Sequence, residues 1–279
     1  MAVTNSSLQT AWTPEDYGKL IDTVIAAKSV AFRSGTIITT ASESIRFPKL
    51  TADPAVAWTA ENTAISLTDP TTAEIVVTPK KVAGLTQISN EAAEDSNPAV
   101  ADQIGRSLAR SIAKKVDSAY LGNTVTNGPN GLLSLTGINE IDTDTYPFTN
   151  LDGFHTAKAA ALADGAEVSV WLIAPDVALA LSTTKELTTG SNVGLLDANG
   201  VTDGTVIAGV PVIVSTDVAA GEAWGLDGSQ VLIVQRTGTT VVRSTEAAFD
   251  YDATQVRATA RVSFGFANPA GVVRIYDTA

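Results

Sequence analysis

Residues 57–95 read AWTAENTAISLTDPTTAEIVVTPKKVAGLTQISNEAAED, and the residue pattern changes halfway along this stretch. The first half is rich in Thr and Ala and carries few residues that could build a core. The second half holds two apolar runs, at residues 75–77 and 85–88, which predict two strands. Pro79 and a pair of lysines separate them. The stretch therefore predicts a polar connection that ends in a pair of strands.

The polar connection is unusually long. Another strand is predicted near residues 45–47, so residues 51–73 lie between two strands, and they contain Pro54 and Pro70. Loops of more than about 15 residues inside a compact domain are uncommon and are usually functional. Trp58 is the one aromatic residue of the loop, and it suits an anchor in an interface pocket. We expect residues 51–73 to be mobile in the free subunit and to become ordered on a neighbour.

The clearest helix is predicted at residues 98–121. Asn97 suits the N-cap, Pro98 suits the first helical position, and Gly122 is a natural stop. One face is apolar at every fourth residue, namely Val100, Ile104, Leu108, Ile112 and Val116. The opposite face carries a basic stripe made of Arg106, Arg110 and Lys114. An ordinary solvated surface is the simplest interpretation of this stripe.

Elsewhere the patterns alternate between helix and strand. A short helical pattern covers residues 16–27. An α/β order follows the long helix, predicted as helix 151–163, strand 168–173, helix 175–184 and strand 210–215. The last part reads as strands at residues 231–234, 240–243, 255–266 and 272–276. Arg257 and Arg261 share one face of the third of these strands, so only its other, apolar face is predicted to be covered.

Composition excludes several classes of protein. The chain has 279 residues and is 44% apolar, which is enough for a packed core. It has no cysteine, so disulfides, thiolate metal sites and cysteine nucleophiles are excluded. Its one histidine, His155, cannot build a multi-histidine metal cluster. No apolar run approaches the ~18 residues of a membrane span, and residues 1–10 lack a signal-peptide pattern. We expect a soluble protein that has no contact with a membrane.

Charge is distributed unevenly along the chain. The formal net charge is −12, and residues 117–235 hold 14 acidic side chains against two basic ones, Lys158 and Lys185. The flanking segments are close to neutral. The middle segment is therefore predicted to be a separate acidic unit, although solubility alone explains the charge equally well. The overall charge disfavours a nucleic-acid reader of the usual basic kind.

Motifs for catalysis do not occur in the sequence. There is no Gly-x-Ser-x-Gly elbow, phosphate-binding loop, dinucleotide fingerprint or His-Glu-x-x-His. The acidic clusters at residues 142–144 and 197–203 lack the terminal glutamate of a calcium loop, so acidic surface loops are favoured. We therefore predict no enzyme, no catalytic residue, no metal and no cofactor.

Several blocks of sequence, in this order, resemble the tailed-bacteriophage major capsid proteins of the Hong Kong 97 type. Residues 58–61 resemble the signature of the extended loop, and residues 79–95 resemble the strand that leads into the spine helix. The helix at residues 97–122 resembles the spine helix itself. Further blocks are Gly-Pro-x-Gly-Leu at residues 128–132, Gly-x-Pro-Val at residues 209–212 and the closing strands at residues 256–276. Each block alone is weak, but the ordered set is specific.

The resemblance implies an α+β fold of the Hong Kong 97 type. This capsid fold has an N-terminal arm, an extended β-hairpin loop, a peripheral domain with a long spine helix, and an axial α/β domain. The implied boundaries are 1–45 for the arm, 46–89 for the extended loop and following strand, 90–122 for the spine helix, 123–230 for the axial domain, and 231–279 for the closing strands of the peripheral domain. The acidic segment coincides with the axial domain.

The resemblance also implies a function, that of a structural major capsid protein in the virion. Copies of the chain would assemble as pentamers and hexamers, in the host cytoplasm, into an icosahedral shell around double-stranded DNA. The implied subunit contacts in the extended loop are Trp58, Glu61 and Asp69. The basic stripe of the spine helix, Arg106, Arg110 and Lys114, would face the DNA and bind it weakly and without sequence preference.

Further partners and two departures follow from the same resemblance. A portal and a decoration protein are expected partners. The arm is shorter than the cleaved N-terminal segment of many relatives, so the resemblance implies either a separate scaffolding protein or no scaffolding at all. Some relatives form a covalent Lys–Asn bond from the loop tip, but residues 51–73 contain no lysine.

Two other functions remain open. An encapsulin-like nanocompartment would use the same fold to hold cargo enzymes instead of DNA. Outside this fold, the chain would be an acidic soluble hydrolase or binding module. Size-exclusion chromatography separates the classes, because a shell protein forms large particles or ring-shaped capsomers and a hydrolase elutes as a monomer.

Overall fold

The computed structural model describes residues 29–52, 54–65, 67–90, 99–144, 148–186, 193–196 and 200–276. The helical pattern predicted at residues 16–27 and the cap predicted at Asn97 and Pro98 lie outside the described residues. The helices are α1 (Val30–Ser34), α2 (Ala99–Leu121), α3 (Asp152–Ala163) and α4 (Pro175–Thr183). The strands are β1 (Thr36–Thr39), β2 (Ile45–Ala52), β3 (Thr71–Val77), β4 (Lys80–Ser89), β5 (Asn139–Asp142), β6 (Val170–Ile173), β7 (Val206–Ile207), β8 (Val210–Val214), β9 (Ala223–Leu226), β10 (Val231–Ala248), β11 (Ala253–Phe266) and β12 (Val273–Tyr276).

A four-stranded sheet with the order β1-β10-β11-β4 supports the long helix α2. β1 runs parallel to β10, and the other neighbours are antiparallel. The helix covers one face of this sheet. A Cβ on Gly84 of β4 would lie 3.2 Å from Leu108 Cδ2, and the rings of Tyr120 and Phe264 are 5.0 Å apart. Helix and sheet therefore share one apolar layer.

The predicted pattern of α2 is confirmed over its described part. Ile112 and Val116 are buried and Leu108 is half-buried against the sheet. The helix stops at Gly122, whose N–H donates to the Ser118 carbonyl at 3.1 Å. A Cβ on Gly122 would lie only 2.7 Å from that carbonyl oxygen. Glycine is therefore the residue that fits this helix end, as predicted.

Helix α1 is attached to the last turns of α2 by buried polar groups. Asp117 accepts a hydrogen bond from the Ser29 hydroxyl at 2.5 Å and another from the Ala31 N–H at 3.1 Å. Ser34 Oγ lies 3.0 Å from the Tyr120 hydroxyl. Burial of the Asp117 carboxyl raises its pKa, while the bonds from Ser29 and Ala31 oppose that rise. These contacts fix where the chain approaches β1.

A six-stranded mixed sheet with the order β5-β12-β9-β6-β8-β7 forms the second layer, together with α3 and α4. All four residues of β6 are buried. The rings of Phe154 on α3 and Trp171 on β6 meet edge to face, with centroids 5.0 Å apart. A Cβ on Gly225 of β9 would lie 2.4 Å from the Trp171 ring, so glycine leaves the space that the indole fills. The α/β order predicted for residues 151–215 is confirmed.

Two details of the closing segment differ from the prediction. The sequence predicts separate strands at residues 231–234 and 240–243, but both belong to β10, because register shifts near Thr237 let one strand continue past the polar residues. The sequence also groups all of residues 231–279 with the peripheral domain. β12 instead pairs with β9 and β5 of the six-stranded sheet. A four-residue apolar pattern such as that of β12 does not specify a pairing partner.

Candidate functional site

β2 and β3 form a separate antiparallel hairpin that carries the loop predicted from the sequence. Pairing starts where Ile45 faces Val77 and ends where Ala52 faces Thr71. The base of the hairpin packs on β11, because a Cβ on Gly265 would lie 2.6 Å from Val77 Cγ2. The hairpin is therefore attached to the four-stranded sheet at one end, and the loop lies at the other end.

Local hydrogen bonds shape the tip of this loop. The Thr63 N–H donates to the Ala60 carbonyl at 3.3 Å, and Asn62 between them has a φ of 64°. Asn adopts this left-handed conformation more readily than most residues. Thr68 Oγ1 donates to the Ala55 carbonyl at 3.1 Å and links the outgoing and returning segments. Both bonds lie within the loop, so they order the tip without attaching it to either large sheet.

Large apolar side chains of the loop face water. Trp58 is 106% exposed, which means that no described residue covers its indole. Val56, Ile65 and Leu67 are 82–95% exposed. A cluster of large exposed apolar side chains on a monomer usually marks a contact surface. The sequence predicted Trp58 but missed the other three, whose signal is their apolar character within a loop rich in Thr and Ala.

Charge on the loop has one sign. Residues 51–73 contain three acidic residues and no basic one, a net charge of −3. The structure places Glu61 in the turn at the tip and Asp69 on the returning segment just before β3, and both side chains are exposed. Neither carboxylate forms an ion pair with any residue in the described part of the chain. The loop therefore offers an apolar surface with free negative charge.

The predicted basic stripe lies elsewhere, on α2. Arg110 and Lys114 are exposed, and one helical turn separates them. Neither has an ion pair among the described residues. Arg106 belongs to the same helix, but its side chain lies outside the described part. The structure thus brings Trp58 and Glu61 together at the loop tip and keeps the stripe on a separate surface.

One charged cluster of the described residues links strands of the six-stranded sheet. Arg274 of β12 forms an ion pair with Glu222, and its guanidinium lies 3.9 Å from the centre of the Tyr276 ring. The Tyr276 hydroxyl donates to Glu140 at 3.1 Å, and this bond raises the pKa of Tyr276. Glu140 lies on β5, Glu222 directly precedes β9, and Arg274 and Tyr276 lie on β12, so the cluster links these three strands.

Two kinds of site have no counterpart in the described part of the chain. No group of three His, Cys, Asp or Glu residues there could hold a metal ion. No helix there is long and apolar enough to cross a membrane.

Known proteins resemble the chain in sequence pattern and in fold. The sequence model of the phage capsid family matches residues 11–276. A chain from Mycobacterium phage Bobi is 17% identical, with a TM-score of 0.71 over 90% of this chain and 91% of that one. A chain from the capsid of an empty GTA particle computed with C5 symmetry is 16% identical, with a TM-score of 0.73 over 88% and 89%. A chain from Mycobacterium phage Adephagia is 14% identical, with a TM-score of 0.73 over 100% of this chain and 99% of that one. None of the curated proteins compared with the chain matches it.

These comparisons confirm the predicted fold at the level of a mixed α+β capsid fold. At identities of 14–17%, the structural likeness concerns the fold alone. The family match is independent of that likeness and covers more than nine-tenths of the sequence, including the loop, α2 and both large sheets. The chain therefore belongs to the phage capsid family and is a structural protein of a viral capsid.

Proposed function

We propose that the chain assembles as pentamers and hexamers into an icosahedral shell that encloses double-stranded DNA. The observation that carries this proposal is the loop at the end of the β2–β3 hairpin. Its indole is fully exposed, its three neighbouring large apolar side chains are nearly so, and Glu61 and Asp69 form no ion pair with any described residue. A surface of this kind is costly to leave in water and gains free energy when a second subunit covers it.

Trp58 is the anchor of this contact, and Glu61 and Asp69 orient it. An indole buries about 150–250 Å² when a partner covers it, and tryptophan is enriched among the residues that contribute most to interface affinity. The two carboxylates favour a basic partner surface and disfavour a second acidic one. Assembly through this loop therefore has both a driving force and a preferred orientation.

Rings follow from the shape of the contact. A loop that binds a different surface on the next subunit makes a head-to-tail interface, and such interfaces close into rings when the rotation per subunit divides a full turn. The GTA capsid was computed with C5 symmetry, which supports fivefold rings of a chain with this fold. Sixfold rings use the same contact with a smaller rotation.

The exposed basic side chains of α2 support the DNA-facing role. Arg110 and Lys114 have no ion pair among the described residues, so they are available to phosphates. Contacts from two or three cations per subunit would be independent of sequence and sensitive to salt. Weak binding suits a shell, because packaged DNA has to leave it. A portal, a separate scaffolding protein, a decoration protein and assembly in the host cytoplasm complete the proposal through the resemblance.

The experiment that tests this proposal begins with the purified chain. Size-exclusion chromatography followed by electron microscopy should show large particles, or rings with fivefold and sixfold symmetry. A single monomer peak at every concentration and salt condition would contradict the proposed assembly. A second preparation starts from cells that make the complete phage. If the particles from these cells contain an enzyme and no nuclease-resistant DNA, they would support the nanocompartment instead.

A further inference from the structure

A cavity of about 290 Å³ lies at the C-terminal end of α2, between that helix, the first residues of β4 and the segment 125–129. Its walls are apolar and include Val82, Val116, Val125, Pro129 and Phe264. The volume is near the lower end of the range of about 300–1,000 Å³ found for pockets that hold a small ligand. The cavity is therefore suited to one large side chain.

Three lysines surround the opening. Lys80 and Lys81 begin β4, and Lys115 lies on α2. All three are exposed, none has an ion pair in the described part of the chain, and no acidic residue lines the cavity. The local charge of +3 is unexpected in a chain whose net charge is −12. An apolar cavity with a basic rim favours an occupant that is apolar at its centre and acidic at its edge.

The walls are held in place before any partner binds. The Gly128 N–H donates to the Val125 carbonyl at 2.8 Å, which closes the turn that forms one wall. Just beyond this turn, a Cβ on Gly131 would lie 2.1 Å from the Ala119 carbonyl oxygen, so the backbone lies directly on the end of α2. Little conformational freedom remains to be lost on binding, and a preformed cavity binds more tightly for that reason.

We propose that this cavity receives Trp58 from the extended loop of a second copy of the chain. The inference rests on the proposed role of the loop as a subunit contact and names the surface that the loop binds. The loop matches the cavity in both respects, because its exposed indole fits the apolar walls and its net charge of −3 complements the three lysines. Glu61, three residues from Trp58 and exposed in the turn at residues 60–63, lies near the lysine rim in this arrangement.

The loop of the same subunit does not fill the cavity. Trp58 is fully exposed in its own subunit. The rim begins at Lys80, beside the base of the hairpin, whereas the seven paired residues of β3 extend the tip away by about 23 Å at about 3.3 Å per residue. The occupant therefore comes from another copy, and the contact is of the head-to-tail kind that builds rings.

One other basic surface competes for the same loop. Lys81, which also lines the cavity at the end of α2, borders a hollow on the opposite sheet face. The other residues that line this hollow include Arg257, Arg261, Thr237 and Thr259. Its charge also suits the loop, but threonines and long basic side chains form most of its lining, so it offers less apolar surface to an indole. We favour the cavity at the end of α2 and use the sheet face as the matched control.

The absence of cysteine makes a cross-linking test possible, because every disulfide in a variant comes from the introduced residues. The test variant carries Ala60→Cys at the loop tip and Thr126→Cys at the cavity, and the control carries Ala60→Cys and Thr237→Cys at the sheet face. Disulfides need Cα atoms within about 7 Å. Oxidised particles of the test variant should run as a ladder of covalent multimers, at least about tenfold more abundant than in the control or in either single variant.

Each outcome distinguishes this inference from the proposed function. A ladder in the Thr237→Cys control alone would overturn the cavity as the receiving surface and leave loop exchange between subunits intact. Assembled particles with no ladder in either variant would overturn both the cavity as the receiving surface and loop exchange between subunits. A chain that forms no particles at all would contradict the proposed function itself.

A second pair of variants covers the case in which the cysteine variants do not assemble. Lys115→Glu should raise the subunit concentration needed for assembly by about tenfold or more. Adding Glu61→Lys in the same chain should reverse most of this rise. Lys49→Glu serves as the control, because Lys49 lies on β2 outside the cavity. Assembly of Lys115→Glu at the normal concentration, or a double variant no better than the single one, would overturn the inference.

Discussion

Replacing Trp58 by alanine separates folding from assembly, because the side chain is fully exposed in the free subunit. Substitutions at exposed positions without special contacts usually change the free energy of unfolding by no more than about 0.5 kcal/mol. Denaturant unfolding of the dissociated Trp58→Ala subunit should therefore agree with that of the unchanged chain within this margin.

Assembly should respond far more strongly. Covering an indole removes about 150–250 Å² from water, and at about 25 cal/mol per Å² this gives at most about 4–6 kcal/mol per contact. Interface anchors typically lose about 2 kcal/mol or more when truncated. Each contact should therefore weaken about 30-fold or more, since ~1.4 kcal/mol corresponds to a factor of ten. Light scattering should show a corresponding rise in the subunit concentration needed for assembly.

Two further variants control this experiment. Thr59→Ala changes the exposed neighbour of Trp58 and should leave both folding and assembly unchanged. Trp171→Ala removes a fully buried indole and should lower the free energy of unfolding by about 3–5 kcal/mol. If circular dichroism shows that Trp58→Ala unfolds the isolated subunit, Trp58 is a core residue and the reasoning fails. An unchanged assembly concentration would refute it equally.

Three other predictions follow from the loop, the helix stripe and the buried carboxyl. Residues 51–73 contain no lysine for a covalent link, so mature shells should dissociate to single 28.8 kDa chains in hot detergent, and a ladder of multimers on a denaturing gel would contradict this. Replacing Arg106, Arg110 and Lys114 together by Gln should still allow empty shells to form while lowering the salt concentration at which full particles lose DNA; loss of all shells would assign the stripe to a subunit contact. Asp117 has a pKa raised by burial, so the stability that its protonated form contributes is complete below its ordinary pKa of 3.8 and is lost as the pH rises through the raised value. Asp117→Asn should therefore flatten the dependence of unfolding free energy on pH in the range above 3.8, and equal slopes in urea titrations of the two chains would refute this assignment.

Features that depend on neighbouring residues in the chain were predictable from the sequence. The sequence predicted a helix at residues 98–121 that stops at Gly122, and the structure describes it as Ala99–Leu121. The period-two pattern of residues 255–266 likewise predicted β11, with Arg257 and Arg261 on the exposed face. The long polar loop with a single tryptophan also followed from the sequence, because a segment with few core-forming residues contributes little to a packed layer.

The tertiary structure decided which distant segments meet. β12 carries an apolar pattern that suits either large sheet, and only its pairing with β9 and β5 places it in the six-stranded one. The cavity at the end of α2 combines residues from β4, α2, β11 and the segment 125–129, and no local pattern marks them as neighbours. Local periodicity reports which face of an element is buried. Pairing partners and cavities depend on how the remaining surfaces complement one another across the chain, and a single sequence does not encode that in any short window.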